Sequence, residues 1–104
     1  MLGGSGGGAV VAPAREDGTT PIGSVRWREQ VCIHGRVQAL RVEPLAGSPS
    51  LECTISDETG SVSLVFFGRR HIEGVALGTS VTATGMAIEH RGRLAIVNPI
   101  YELR

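Results

Sequence analysis

The strongest constraint on what this chain can fold into is the stretch Leu51 to Phe67, LECTISDETGSVSLVFF. Leu51, Cys53 and Ile55 alternate with Glu52, Thr54 and Ser56, and after Asp57-Glu58-Thr59-Gly60 the positions Val62, Leu64 and Phe66 alternate with Ser61, Ser63 and Val65. Period-two alternation on both sides of a turn is a β-hairpin with one apolar face. Asp57 is suited to hydrogen-bond the backbone two residues on, and Gly60 is expected to supply a positive φ to the turn. A lone two-stranded ribbon is marginal in water, so the apolar row requires further strands or a helix over it.

The remainder supplies them. Glu29 to Glu43 places Val31, Ile33, Gly35 and Val37 on one face and Cys32, His34, Arg36 and Gln38 on the other; past Gln38 the apolar positions become Leu40 and Val42. That slip of phase predicts a bulge or coil in a long, strongly bent strand, with Gly35 where bending is easiest. Pro44 to Ser50 reads as the turn-forming connection into the hairpin. Gly68 to Gly74 is too short for more than a turn or two of helix, and Ser80–Glu89 and Arg93–Tyr101 are two further strands joined at His90-Arg91-Gly92. Met1 to about Ser24 is rich in Gly, Ala, Ser, Thr and Pro, with too little apolar surface to offset the entropy of ordering. Trp27 is expected to pack its indole on the domain edge.

The order of elements predicts an all-β domain: a five-stranded Greek-key barrel of the OB type over residues 25–104, with a short helical connection between strands three and four. A disordered Gly-rich tail, 1–24, precedes it. An SH3-like barrel is the rival, and the long connection between the third and fourth strands favours the OB arrangement.

Composition narrows function. The chain has 104 residues, a formal net charge of zero, and no lysine. Non-specific polyanion binding needs several phosphates neutralised at once, so any nucleic-acid contact must be local and made by arginine, which suits bidentate phosphate contacts. No apolar run of membrane-spanning length occurs, and the N-terminus lacks the basic and apolar regions of an export signal, so a cytoplasmic protein without membrane partners is expected. The two cysteines, Cys32 and Cys53, lack paired spacing. Cys32 and His34 share a face but Cys53 falls on the opposite one, so neither metal nor other cofactor is expected. No nucleophile elbow, clustered carboxylate pair or phosphate loop is present, which predicts a non-enzyme.

On the outer face of such a barrel the first strand presents His34, Arg36 and Gln38, the second Glu52, Thr54 and Ser56, and the third Ser63, Val65 and Phe67. Phe66 points inward by the same count. Arg69-Arg70-His71 and His90-Arg91-Gly92-Arg93 are the basic clusters. The nucleic-acid-binding set expected from this count is His34, Arg36, Gln38, Thr54, Ser63, Phe67, Arg69, Arg91 and Arg93, with Phe67 stacking on bases and the arginines on phosphates.

Val31-x-Ile33-x-Gly35-x-Val37, the Ile55–Phe67 run with its Asp-Glu-Thr-Gly turn, Leu77-Gly78-x-x-Val81-x-Ala83-x-Gly85 and Asn98-Pro99-x-Tyr101 resemble the OB-fold wedge domain of RecG-type DNA helicases. They are also similar to the wider set of nucleic-acid-binding OB domains that includes anticodon-binding domains. In that family the turn and the alternating residues determine the fold. The resemblance implies nucleic-acid binding; the expected ligand is single-stranded or junction DNA, bound by a monomer. No Gly-x-x-x-x-Gly-Lys-Ser/Thr loop is present, so helicase activity is not implied. The alternative is a protein-interaction module that docks its OB face on a larger partner.

Overall fold

The computed structural model of the chain describes residues 15–103. Six strands follow in order: β1 Gln30–Leu45, β2 Ser48–Asp57, β3 Gly60–Phe67, β4 Ser80–His90, β5 Arg93–Val97 and β6 Ile100–Leu103. They pair as β1-β2-β3-β5-β4-β6, and β4 also pairs with β1, which closes a barrel. All pairings are antiparallel except β3 with β5. This is the expected OB-type arrangement, and closure leaves few strand edges bare.

One long strand serves two neighbours. β1 pairs with β4 from Gln30 to Arg36 and with β2 from Arg36 to Leu45. Val37 faces Ile55 and Ala39 faces Thr54, so Gln38 is an extra residue, the bulge that the phase slip predicts. Gly35 lies just before it, where a Cβ would press on the Ser56 carbonyl and Ile22. Past the bulge, β1 and β2 continue as an arm joined by Ala46 and Gly47, both left-handed (φ 52° and 82°). The connection is therefore two residues, shorter than the expected Pro44–Ser50: Pro44 and Pro49 face each other within the ladder. β2 and β3 form the expected hairpin, with Val62, Leu64 and Phe66 inward against Ile55, Cys53 and Leu51.

The interior is built from the alternating residues of all the barrel strands, including Val31, Ile33, Ile55, Leu64, Val81, Ala83 and Ile96. Phe66 meets Tyr101 edge to face, centroids 5.5 Å apart. Burial of the Cys53 thiol in this core pushes its pKa up to about 11, so it stays protonated at neutral pH.

Four further expectations change. The β3–β4 connection has no helix: Gly68, Gly74 and Gly78 are all left-handed (φ 75°, 85° and 87°), which breaks a helix before it forms. It still plugs the barrel, through buried Ile72 and Val75. The last expected strand is two, because Asn98 turns left-handed (φ 48°) before Pro99 and sends β6 onto the first half of β4. Gly60 is not left-handed; it is needed for space, since a Cβ there would lie 3.1 Å from the Gly23 Cα. The turn instead closes on Asp57, whose carboxylate accepts from Thr59 and Gly60.

The fourth concerns the expected disordered tail. Its first 14 residues lie outside the described ones, but residues 15–24 pack on the barrel. Ile22 is buried in a short 3-10 turn, Ile22–Ser24. The Ile22 N–H donates to the Asp57 carboxylate at 3.0 Å, the Gly23 N–H donates to the Thr59 hydroxyl at 2.8 Å, and Arg15 bridges to Asp57 and Glu58. A single apolar anchor plus hydrogen bonds does what a run of apolar residues would otherwise do.

Two tests follow from this junction. A side chain at Gly23 would run into the Thr59 carbonyl oxygen, so Gly23→Ala is expected to lower stability by about 1–3 kcal/mol in urea titrations. Burial pushes the Asp57 carboxyl up, but the Ile22 N–H, the Thr59 hydroxyl and N–H and the Gly60 N–H together outweigh it and hold the group below its ordinary value. A depressed folded-state value adds stability above the unfolded carboxylate pKa, and that stability is lost as pH falls through the folded one. The unfolding free energy should therefore fall on acidification below about pH 4. Asp57→Asn should be less stable by about 1–3 kcal/mol at neutral pH and flatten that fall; equal pH profiles would rule this out.

Candidate functional site

Cross-strand partners share a face, so the register fixes which side chains point outward. After the bulge these are Ala39, Arg41 and Glu43 on β1, opposite Thr54, Glu52 and Ser50 on β2, and then Ser63, Val65 and Phe67 on β3. The β4–β5 hairpin lies over this face. Its turn is Arg91 and Gly92, both left-handed (φ 55° and 80°), the pair of signs a two-residue hairpin prefers.

A groove runs under that hairpin. Arg93, Thr54, Ser61 and Ser63 line one part of it, and Ala39, Arg41 and Glu52 continue it past the same Thr54 and Arg93. Ser63 and Val65 have only 3% and 0% of their surface exposed. They were counted outward, and they are, but the outer side of β3 is covered here. Ser63 is a residue of the groove floor, and Val65 is unavailable to a ligand.

The charges on this face are mostly paired. Arg41 donates to Glu52 at 3.1 Å and lies 3.1 Å from Glu43, and Arg91 also pairs with Glu43. Among the described residues Arg93 has no carboxylate partner.

Of the residues expected from sequence, Thr54, Ser63 and Arg93 come together in the groove, with Arg91 tied across its mouth to Glu43. Phe67 is outward and 44% exposed, opposite Ser50 and against the Leu45–Pro49 end of the arm. Gln38 is the exposed bulge residue. His34 and Arg36 do not join them. They precede the bulge, on the wall β1 shares with β4, where the His34 Nδ1 is 2.9 Å from the Thr82 hydroxyl. Their neighbours there include Arg15, Asp57 and Glu58. Arg69 is exposed on the β3–β4 connection, and its neighbours Arg70 and His71 border a hollow with Leu40, Val42 and Leu51, the inward side of the arm. Arg41 and Glu43 are the residues that sequence counting left out; the phase slip at Gln38 was the signal, since it turns odd positions outward.

Among the described residues no group of three or more His, Cys, Asp or Glu is placed to hold a metal ion. Cys32 faces outward and Cys53 lies in the core.

The exposed Phe67 and inward Phe66 give opposite expectations. Phe67→Ala should leave the urea midpoint nearly unchanged, whereas Phe66→Ala, at 6% exposure, should lose about 3–5 kcal/mol. A large loss for Phe67→Ala would show that its ring is structural.

Two comparisons bear on this arrangement. The tRNA_anti-codon family model, an OB-fold nucleic acid binding domain, matches residues 31–103, which span all the barrel strands but the first residue of β1. No curated protein matches the chain.

Proposed function

The chain belongs to the family of OB-fold nucleic acid binding domains, and from that premise we propose that it binds single-stranded or junction DNA along the outer face of β2 and β3, under the β4–β5 hairpin. The likeness of its turn and closing Asn-Pro to RecG-type wedge domains supports DNA as the ligand. We further read it as a monomeric cytoplasmic module with no catalysis of its own. The observation that carries the binding site is Arg93: a guanidinium without a carboxylate partner among the described residues, set beside the hydroxyls of Thr54 and Ser63. A phosphate placed there gains a charge-assisted bond to Arg93 and hydroxyl donors besides. Phe67, at the arm end of the same face, offers an exposed ring for a base.

The Arg41–Glu43–Arg91 pairing supports a second reading, a face that docks on protein. A nearly neutral surface attracts phosphate weakly.

Salt separates the two. Anisotropy of a labelled oligothymidylate should show affinity falling with ionic strength, by about 0.7 in log–log slope for each phosphate contact. Arg93→Ala should remove a little under one unit of slope and weaken binding evenly across sequences. Arg91→Ala should do less, because Arg91 is already paired. Binding that ignores salt, or an Arg93→Ala protein that binds like the parent, would favour the protein-partner reading.

A further inference from the structure

We propose that Trp27 and Arg28 form a second nucleic-acid contact, a stacking platform for one base of a single strand, outside the outer-face groove. Trp27 was expected to pack on the domain edge, yet it is 59% exposed. The Arg28 guanidinium lies over its ring, 4.6 Å from the centroid. The pair occupies the two central positions of a turn from Arg26 to Glu29. The Glu29 N–H donates to the Arg26 carbonyl at 3.2 Å, and the Arg26 N–H donates to the Glu29 carboxylate at 3.0 Å.

The backbone makes this arrangement unlike a chance surface contact. Arg28 is left-handed, with φ 67°, at the turn position where glycine or asparagine is ordinarily found. A bulky side chain there is disfavoured and persists only where surrounding bonds over-determine it. Those bonds are present: the Arg28 N–H donates to the Ala87 carbonyl at 2.7 Å, and the Ala87 N–H donates to the Glu29 carbonyl at 2.9 Å. The turn is thereby fixed to β4. A glycine at 28 would keep every one of these bonds and relieve the strain, but it would lose the guanidinium over the indole.

The chemistry of the pair selects a nucleotide. One part of the indole surface is held by a cation, which fixes the ring, and most of the rest is open to a second flat group. Among the described residues no carboxylate pairs with Arg28, so its donor edge is available to a phosphate while its plane stays on the ring. A base on the indole and its phosphate on the guanidinium use both. Ala87, which anchors the turn, is three residues from His90, the strand partner of Arg93, or about 10 Å along β4. A strand held at Arg93 is thus within a short run of nucleotides of Trp27.

This inference rests on the nucleic-acid reading above, and the test separates the two. Trp27 is the chain's single tryptophan, so its emission reports on this site alone, while anisotropy of a labelled oligothymidylate reports total binding. The emission is expected to be quenched in step with binding, and not by an abasic phosphate-sugar strand that lacks bases. Trp27→Ala should weaken oligothymidylate binding by about 5- to 150-fold, and Trp27→Phe should keep most of it. Arg28→Gly should bind more weakly although its melting temperature is unchanged or higher, a combination that a merely structural arginine would not give. Oligonucleotide binding without quenching, with Trp27→Ala binding like the parent, overturns the platform and leaves the Arg93 groove standing. No binding of the parent overturns both.

Discussion

The barrel depends on one short seam. β3 and β5 meet over three parallel rungs, Ser63 with Ala95, Leu64 with Ile96 and Val65 with Val97. Asn98 extends the seam: its N–H donates to the Val65 carbonyl at 2.7 Å, and its side-chain oxygen accepts from the Phe67 N–H at 3.0 Å. Parallel pairing is slightly weaker per residue than antiparallel, so the added asparagine bonds matter in so short a contact. Without this seam β5 would hang from β4 alone, and the β4–β5 hairpin would have no fixed relation to β2 and β3. The seam leaves Val65 and Ala95 inaccessible to solvent and sets Arg93 beside Thr54.

The groove so formed is electrically quiet. Glu43 holds Arg91 and lies against Arg41, and Glu52 holds the other side of Arg41. Exposed pairs of this kind contribute little stability, so their effect is on the potential of the face rather than on the fold. Two of the three arginines near the hairpin tip, Arg41 and Arg91, are held by carboxylates, whereas Arg93 is uncontested among the described residues. On the function proposed above, binding by such a face would take its strength from stacking and hydroxyl contacts in addition to charge, in keeping with a chain whose net charge is zero.

The parts of the fold legible in the sequence are those governed by alternation. Leu51–Phe67 reads as a hairpin because each residue's side follows from its neighbours, and the bulge at Gln38 reads as a phase slip for the same reason. What lies outside alternation was not legible. Residues 15–24 carry one buried apolar side chain, Ile22, and otherwise hold on through polar bonds, among them those to the Asp57 carboxylate, the Thr59 hydroxyl and the Cys32 carbonyl, which leave no periodic trace. Alternation places Val65 outward, but it does not tell that the side chain is inaccessible to solvent there. Of the candidate site, Thr54, Ser63 and Arg93 lie together in the groove, whereas His34 and Arg36 lie before the slip on the wall that β1 shares with β4, a pairing that alternation does not reveal. Trp27 was misread because a single aromatic at the edge of a domain has no pattern to say which way it faces.

The extra residue at Gln38 separates the length of β1 from the identity of its faces. Excising it would leave Val37, Leu40 and Val42 inward and Ala39, Arg41 and Glu43 outward, since the strand would then alternate without interruption. What would go is the local twist that bulges add, and with it the angle at which the arm leaves the barrel. Loss of Gln38 thus acts as an aiming adjustment, moving Arg41 and Glu43 relative to Arg91 while every remaining side chain keeps its face. A domain built this way has a route to reshape its outer face by chain length alone.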